Sequence, residues 1–269
     1  MVEERFRAVF EGNPDVDELL PPAAGLLRRW RPTVCLNLHG GTRSAWMTAL
    51  SGARCRAGFG HFRHRFVYNV RIPRAQEILG VDRKVHTAEH LASAMFYLGA
   101  AVTEIPRAKL FANPGADGSV LAGQRQALGT DSSVPRVPAV IHPAAAAPEK
   151  TWRADGFLKV AEQLRHAGLE PVFIGAAGDD LAAFRGYRTL HGASLSEIKW
   201  LLAGAALFVG NDSGPAHMAA AFGLPSVVIF PASDPAIWGP WRTSCEVLSG
   251  PGVSVAQVLE ALARLRVPA

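Results

Sequence analysis

The sequence predicts an α/β protein built on parallel, doubly wound sheets. Three observations lead there. Short apolar runs alternate with amphipathic stretches along the second half of the chain. Those runs are apolar throughout, as strands covered on both faces are. Polar residues able to do chemistry gather just after them, where open α/β sheets hold their ligands.

The elements follow in order. "PAVIHP" (138–143) reads as a strand, and "RADGFLKVAEQLRHAG" as a helix with Phe157, Val160, Ala161 and Leu164 at helical spacing and Gly168 as its stop. "EPVFIG" (170–175) is a strand and "DDLAAFRG" a short helix. Ser194 and Glu197 form a capping box that opens "LSEIKWLLAGA". "ALFVG" and "PSVVIF" are two further strands, and "VSVAQVLEALARLRV" is an amphipathic helix.

The first half is less regular. "PTVCLNLHGG" (32–41) reads as strand and loop, "TRSAWMTALSGA" as helix, "CRAGFG" as a short strand, and "RKVHTAEHLASAMFYLGA" as a long helix ending at Gly99. A lobe of this type opens with a buried strand. Here Val2, Phe6, Val9 and Phe10 spell an amphipathic helix, followed by a turn at "EGNPDVDE". The N-terminal lobe is therefore expected to be incomplete, without its first strand and loop. Residues 106–137 are rich in Gly, Pro and Ser and unpatterned, as a linker would be. The expected lobes are 1–134 and 135–269.

Composition narrows the partners. The 269 residues, 49% hydrophobic, suffice for a sizeable core in one or two domains. A net charge of +5 suits an anionic ligand, a nucleic acid or an anionic membrane surface without selecting one. Cys35, Cys55 and Cys245 show no metal-ligand spacing and read as reduced thiols, so a cytoplasmic location is expected. No run reaches the ~20 apolar residues of a membrane span, so any membrane contact is expected to be peripheral.

Three stretches carry the chemistry. In "FVGNDSGPAHMAAAFGLPSVVIF" (208–230) a strand ends where Pro215 marks the first turn of a helix. Asp212, Ser213 and Gly214 thus sit at a helix N-terminus, whose outward amide groups and dipole favour a phosphate. Gly214 lets the ligand approach the backbone, Ser213 offers a hydroxyl, and His217 lies one turn on. Asp or Ser there serves equally as an ordinary helix cap, and His217 as packing. In "IHPAAAAPEKTWRADGF" the small residues after the strand leave room for a ligand and Lys150 supplies a point charge for phosphate. A solvated Lys150 beside a core Trp152 fits the same pattern. In "FIGAAGDDLAAF" Asp179 or Asp180 suits ribose hydroxyls, or simply acids opening a short helix. The coincidence of all three at strand C-termini points to a nucleoside diphosphate site.

These stretches, with "LSEIKWLLAGAALFVGNDSGPAHMAAAFGLPSVVIFPASDP" and "WGPW", resemble glycosyltransferase family 9, the ADP-heptose:lipopolysaccharide heptosyltransferases. The resemblance covers nearly all of 137–269 and extends to "NPDVDELLP", "LNLHGGTRSAWMTALSGARCRAGF" and "VHTAEHLASAMFYLG". It implies a GT-B-type fold of two Rossmann-like lobes. It also implies inverting transfer of heptose from ADP-heptose to a lipopolysaccharide core acceptor, with no metal or other cofactor. Lys150 and the Asp212–Ser213–Gly214 turn would then hold the pyrophosphate, Asp179 or Asp180 the ribose, and Arg43 an anionic glycolipid acceptor. Peripheral contact with the inner face of the membrane would follow.

The sequence departs from the family in two places. Family members usually carry glycine at the position of Ala144 and often hydroxyl residues near Ala146; here the loop is all alanine. The family also opens with a strand and a loop bearing an aspartate thought to deprotonate the acceptor, and no residue here matches it. His39, at a strand end, is the best-placed substitute base. The alternative is a catalytically silent protein that binds a nucleotide sugar or glycolipid. A nicotinamide-dependent oxidoreductase would need a G-x-G-x-x-G turn before a helix, and "GFG" (58–60) leads into basic residues instead. "RCRAGFGHFRHRF" (54–66) interleaves Arg, His and Phe as base-stacking surfaces do. An acidic glycolipid or plain solvation accounts for that stretch equally, and no nucleic-acid partner is expected.

Overall fold

A computed structural model describes residues 1–112 and 136–265. It is mixed α/β, with every paired strand parallel to its neighbour. Contacts divide the chain into two units. Met1–Glu4 groups with Asp17–Ile105, and Arg5–Val16 groups with Pro106–Ala269. The boundary expected at 134/135 falls where 113–135 lie outside the described residues. No described helix is long and apolar enough to cross a membrane.

The second unit holds a six-stranded sheet. Its strands are β4 (Pro138–His142), β5 (Glu170–Gly175), β6 (Arg188–His191), β7 (Leu207–Asn211), β8 (Ser226–Phe230) and β9 (Cys245–Ser249), in the order β6-β5-β4-β7-β8-β9. The chain winds outward from β4 to β6, then returns beside β4 and winds the other way. Alternation along each strand sorts side chains between two cores. Ile141, Phe173, Val209 and Ile229 face the helices Ala154–His166 and Val255–Arg264, through Phe157, Val160, Val258 and Ala261. Val140, Ile174, Phe208 and Val228 face Leu195–Ala203 and Gly214–Phe222, through Ile198, Leu202, Met218 and Ala219. Ser194 and Glu197 form the expected capping box.

The first unit holds β1 (Val34–Asn37), β2 (Cys55–Phe59) and β3 (Val70–Ile72), in that order. The helices Thr42–Leu50 and Thr87–Tyr97 stand where the periodicity puts them.

Several expectations change. The opening segment forms a 3-10 turn, Glu4–Phe6, and a single α turn, Arg7–Phe10, and from Arg5 on it belongs to the second unit. Buried Lys199 holds it, its Nζ donating to the carbonyls of Ala8 (2.6 Å) and Glu11 (3.1 Å). Instead of an α-helix, "DDLAAFRG" forms only the 3-10 turn Ala182–Phe184, because Asp180 Oδ1 accepts from Ala182 N (2.8 Å) and fixes a tight turn. Pro106–Ala112 carries no regular element. Arg107 Nη1 caps the end of helix Gly214–Phe222 by donating to the carbonyls of Ala220 (3.1 Å) and Ala221 (2.6 Å).

Gly156 tests how tightly the second unit is packed. A Cβ there would lie 2.6 Å from the buried Trp152 ring, which its Nε1–H anchors to the Val253 carbonyl (2.8 Å). Gly→Ala inside a helix ordinarily stabilises by about 1 kcal/mol. Gly156→Ala is expected instead to destabilise by about 1–3 kcal/mol, the range for overpacked cores, as read by urea unfolding.

Candidate functional site

The strand order creates a switch point. After β4 the chain turns to helix Ala154–His166 on one face; after β7, its neighbour, it turns to helix Gly214–Phe222 on the other. The connections part there and leave a crevice at the strand C-termini, the place where open α/β sheets bind ligands.

Two buried polar residues fix that crevice. Asn211, fully buried at the end of β7, donates from Nδ2 to the Pro143 carbonyl (2.7 Å) and accepts at Oδ1 from Trp152 N (3.0 Å). Both ends of the loop after β4 are thus tied to one side chain. His142, ending β4, places Nδ1 3.1 Å from Ser213 Oγ. Burial lowers the His142 pKa to about 4, against a smaller opposing pull from Asp179, so the ring is neutral at neutral pH. It joins the loops after β4 and β7 without adding charge.

Between those anchors lies an open cleft of about 620 Å³ lined by Pro143–Pro148, Thr151–Ala154, Gly178–Asp180 and Phe184. Asp179 and Asp180 therefore stand in its wall. Each already serves a turn: Asp179 Oδ2 accepts from Ala176 N (2.7 Å), and Asp180 Oδ1 from Ala182 N. Asp179 is half-buried and keeps its Oδ1 for another donor.

Lys150 ends the 3-10 turn Pro148–Lys150 within the same loop, and its side chain has no partner among the described residues. Ser213 occupies the N-cap position of helix Gly214–Phe222, but its side chain makes no capping hydrogen bond there. The Ser213 hydroxyl is turned to His142 instead, so the capping reading of Asp212 and Ser213 does not hold. Asp212 Oδ2 accepts from Ser233 Oγ (2.6 Å), linking the loops after β7 and β8. Gly214 is exposed, and so is His217, one turn along, whose N–H reaches the Ser213 carbonyl (3.4 Å). The cleft wall does not include Lys150, Asp212, Ser213, Gly214 or His217; these lie on the β7 side of the switch point or at the outer loop. The loops after β4 and β7 thus carry an ammonium without a partner among the described residues and uncapped amides, groups that suit an anion, while the cleft wall carries carboxylates that suit hydroxyl groups.

His39 and Arg43 belong to the first unit. Asn37, buried at the end of β1, repeats the role of Asn211. Its Oδ1 accepts from the His39 and Gly40 amides (3.0 and 3.1 Å), and its Nδ2 donates to Ser44 Oγ (3.2 Å) and the Tyr68 hydroxyl (2.9 Å). Gly40, at φ +72°, lies so close to the Phe62 ring that a Cβ would fall 2.6 Å from it. Gly41 N–H donates to His39 Nδ1 (3.2 Å). That bond places the lone pair on Nδ1 and the neutral ring's proton on Nε2. Arg43, exposed, pairs with Glu3 (3.6 Å) and the Pro22 carbonyl (3.2 Å).

Asn37, Asn211 and His142 escaped the sequence reading of the site. Their shared signal is a polar residue closing an apolar run, as in "VCLN", "LFVGN" and "AVIH".

Comparison with known proteins bears on the family and the fold. The profile of glycosyltransferase family 9 (heptosyltransferase) matches residues 26–261. The chain belongs to that family. It is 37% identical over 113 residues to lipopolysaccharide heptosyltransferase 3 of Escherichia coli (strain K12), a match covering 38% of this chain. That match spans only 33% of the relative's length. The fold is similar to that of a glycosyl transferase family 9 structure from Veillonella parvula DSM 2008, with TM-score 0.82, 21% identity, and coverage of 97% of this chain and 85% of the other. It is also similar to E. coli ADP-heptose lps heptosyltransferase II, with TM-score 0.73, 21% identity, and coverage of 97% and 86%. The fold is thus GT-B-type, with Rossmann-like lobes, as the family resemblance implied.

The neutral state of His142 has a measurable consequence. Its folded pKa of about 4 lies below the ordinary value of 6.5. Between those values the unfolded chain binds a proton that the folded chain refuses, so stability falls as pH drops through that window. The His142 contribution is expected to cost about 2 kcal/mol between pH 7 and pH 5. Urea unfolding at both pH values should show a shallower decline for His142→Gln than for the unsubstituted protein.

Proposed function

We propose that the protein transfers a heptose from ADP-heptose to a lipopolysaccharide core acceptor with inversion at the anomeric carbon. The observation that carries the reading is the switch point: an uncapped helix N-terminus and the Lys150 loop stand on adjacent strands, β7 and β4. Family membership and the names of the relatives support it. In this reading the amides at Ser213 and Gly214 and the Lys150 ammonium hold the pyrophosphate. Asp179 or Asp180 receives the ribose hydroxyls. Asp212 and His217 lie at the donor's phosphate–sugar end, and Arg43 meets an anionic glycolipid.

The acceptor oxygen attacks the anomeric carbon opposite the diphosphate. As that bond forms, the carbon–oxygen bond to phosphate breaks, ADP leaves with the electron pair, and the hydroxyl proton goes to a base. Negative charge grows on the departing pyrophosphate, so cationic and amide donors aimed there lower the barrier.

His39 suits this scheme as a donor rather than as the base, since its acceptor nitrogen is held by the Gly41 amide. That observation favours a second reading, a nucleotide-sugar or glycolipid binder without turnover. Calorimetry with ADP and a heptosyl transfer assay on the same preparation separate the two, because binding without transfer selects the second.

Lys150→Ala is expected to weaken ADP binding by at least about 1 kcal/mol, the scale of a charge-assisted hydrogen bond. Calorimetric affinity unchanged by the substitution removes Lys150 from the site.

A further inference from the structure

The cleft beyond β4 carries a cation in its own wall. The loop that forms its floor is alanine and proline, which offer no side-chain donor. Three lining residues, Thr151, Trp152 and Arg153, have side chains able to donate a hydrogen bond. Two of these are spent inside the fold. Thr151 Oγ1 donates to the Ala147 carbonyl (3.1 Å), and Trp152 Nε1 to the Val253 carbonyl (2.8 Å). Arg153 is the third. Its Nε lies 3.4 Å from Asp155 Oδ1, in a pair whose side chains are 55% and 61% exposed. An ion pair so open to water holds weakly, and a guanidinium has several N–H groups to give. Arg153 thus keeps donors for a ligand in the cleft.

The point from which this side chain springs is fixed. Trp152, the residue before it, is held at its amide by Asn211 Oδ1 (3.0 Å) and at its indole by Val253. Asn211 ends β7, two residues ahead of Ser213. Arg153 therefore starts where the cleft meets the end of β7. It also stands at the N-cap position of helix Ala154–His166, whose dipole adds to its positive field. Lys150 does not line the cleft. The lining divides by charge, with a guanidinium on the loop after β4 and the carboxylates of Asp179 and Asp180 on the loop after β5. A ligand that matches it carries an anionic group and hydroxyls on one small frame, as a nucleoside phosphate does. A guanidinium grips phosphate oxygens through paired bonds, where an ammonium acts only as a point charge. We propose that Arg153 binds a phosphate of the nucleotide held in this cleft and gives the cleft its preference for phosphorylated over plain nucleosides. The proposal rests on the nucleotide-sugar function stated above and adds a phosphate-binding residue to it.

The test is calorimetry with ADP and with adenosine on the unsubstituted full chain, Arg153→Ala and Arg153→Lys. Displacement of ADP measures adenosine if its direct titration is too weak. Thermal unfolding of each preparation reports the fold, and because Arg153 is exposed both variants are expected to keep the unfolding temperature. Arg153→Ala should weaken ADP binding roughly tenfold or more and leave adenosine binding unchanged. Arg153→Lys, which keeps the charge, should recover part of that loss. ADP affinity unchanged in Arg153→Ala overturns the proposal while the nucleotide site itself stands. An equal loss of ADP and adenosine overturns it too, because the side chain then shapes the cleft without meeting phosphate. A lysine variant no better than the alanine variant does the same. An unsubstituted chain that binds neither ligand overturns the nucleotide-sugar function, and the role of Arg153 with it.

Discussion

Two buried asparagines hold the loops on which the site depends. A side-chain amide can donate and accept at once, so one residue can satisfy several backbone groups that a turning chain would otherwise leave unpaired in a dry interior. Asn211 does this for the first and last residues of the loop after β4, which makes that loop a fixed arch over a strand to which it has no covalent neighbour. Asn37 does it for the His39–Gly40 turn while also reaching Ser44 and Tyr68. In each unit the strand C-terminus is thereby fixed from beneath, and the alanines or glycines above are free to shape a cavity.

The electrostatics of the crevice follow from what is neutral as much as from what is charged. His142 lies at the junction of the two loops, bonded to Ser213. Desolvation keeps it uncharged, and it acts as a hydrogen-bonding strut to Ser213. Positive potential is left to the backbone amides of helix Gly214–Phe222 and to the Lys150 ammonium. The carboxylates are held back by their own turns: Asp179 and Asp180 each accept a backbone amide, and Asp212 is engaged by Ser233.

Much of the fold was legible because the central strands leave a plain mark. β4, β5, β7 and β8 lie under helices on both faces, so their middle residues are apolar without interruption, and those runs located them. The edge strands β6 and β9 and the three-residue β3 were missed because half-exposed positions admit residues such as Arg188, Thr189, Glu246 and Arg71, which carry no strand signal. The site was legible at the level of which loops matter. Hydroxyls and carboxylates after apolar runs drew attention to Asp179, Ser213 and Gly214. What the sequence withheld was the division of labour among those polar groups. A capping serine and a serine bonded to a histidine from a neighbouring strand look alike until the strands are ordered. Asn211 was overlooked because it lies within the strand, where a polar residue has meaning only once its partners in the loop after β4 are known.

The opening dozen residues are grasped by an ammonium that binds peptide oxygens. Lys199 reads the carbonyls of Ala8 and Glu11, and every amino acid supplies a carbonyl. Such a latch fixes the path of the segment without reading the identity of Ala8 or Glu11. Those two positions can thus be rewritten with the grip kept, so long as a lysine stays opposite.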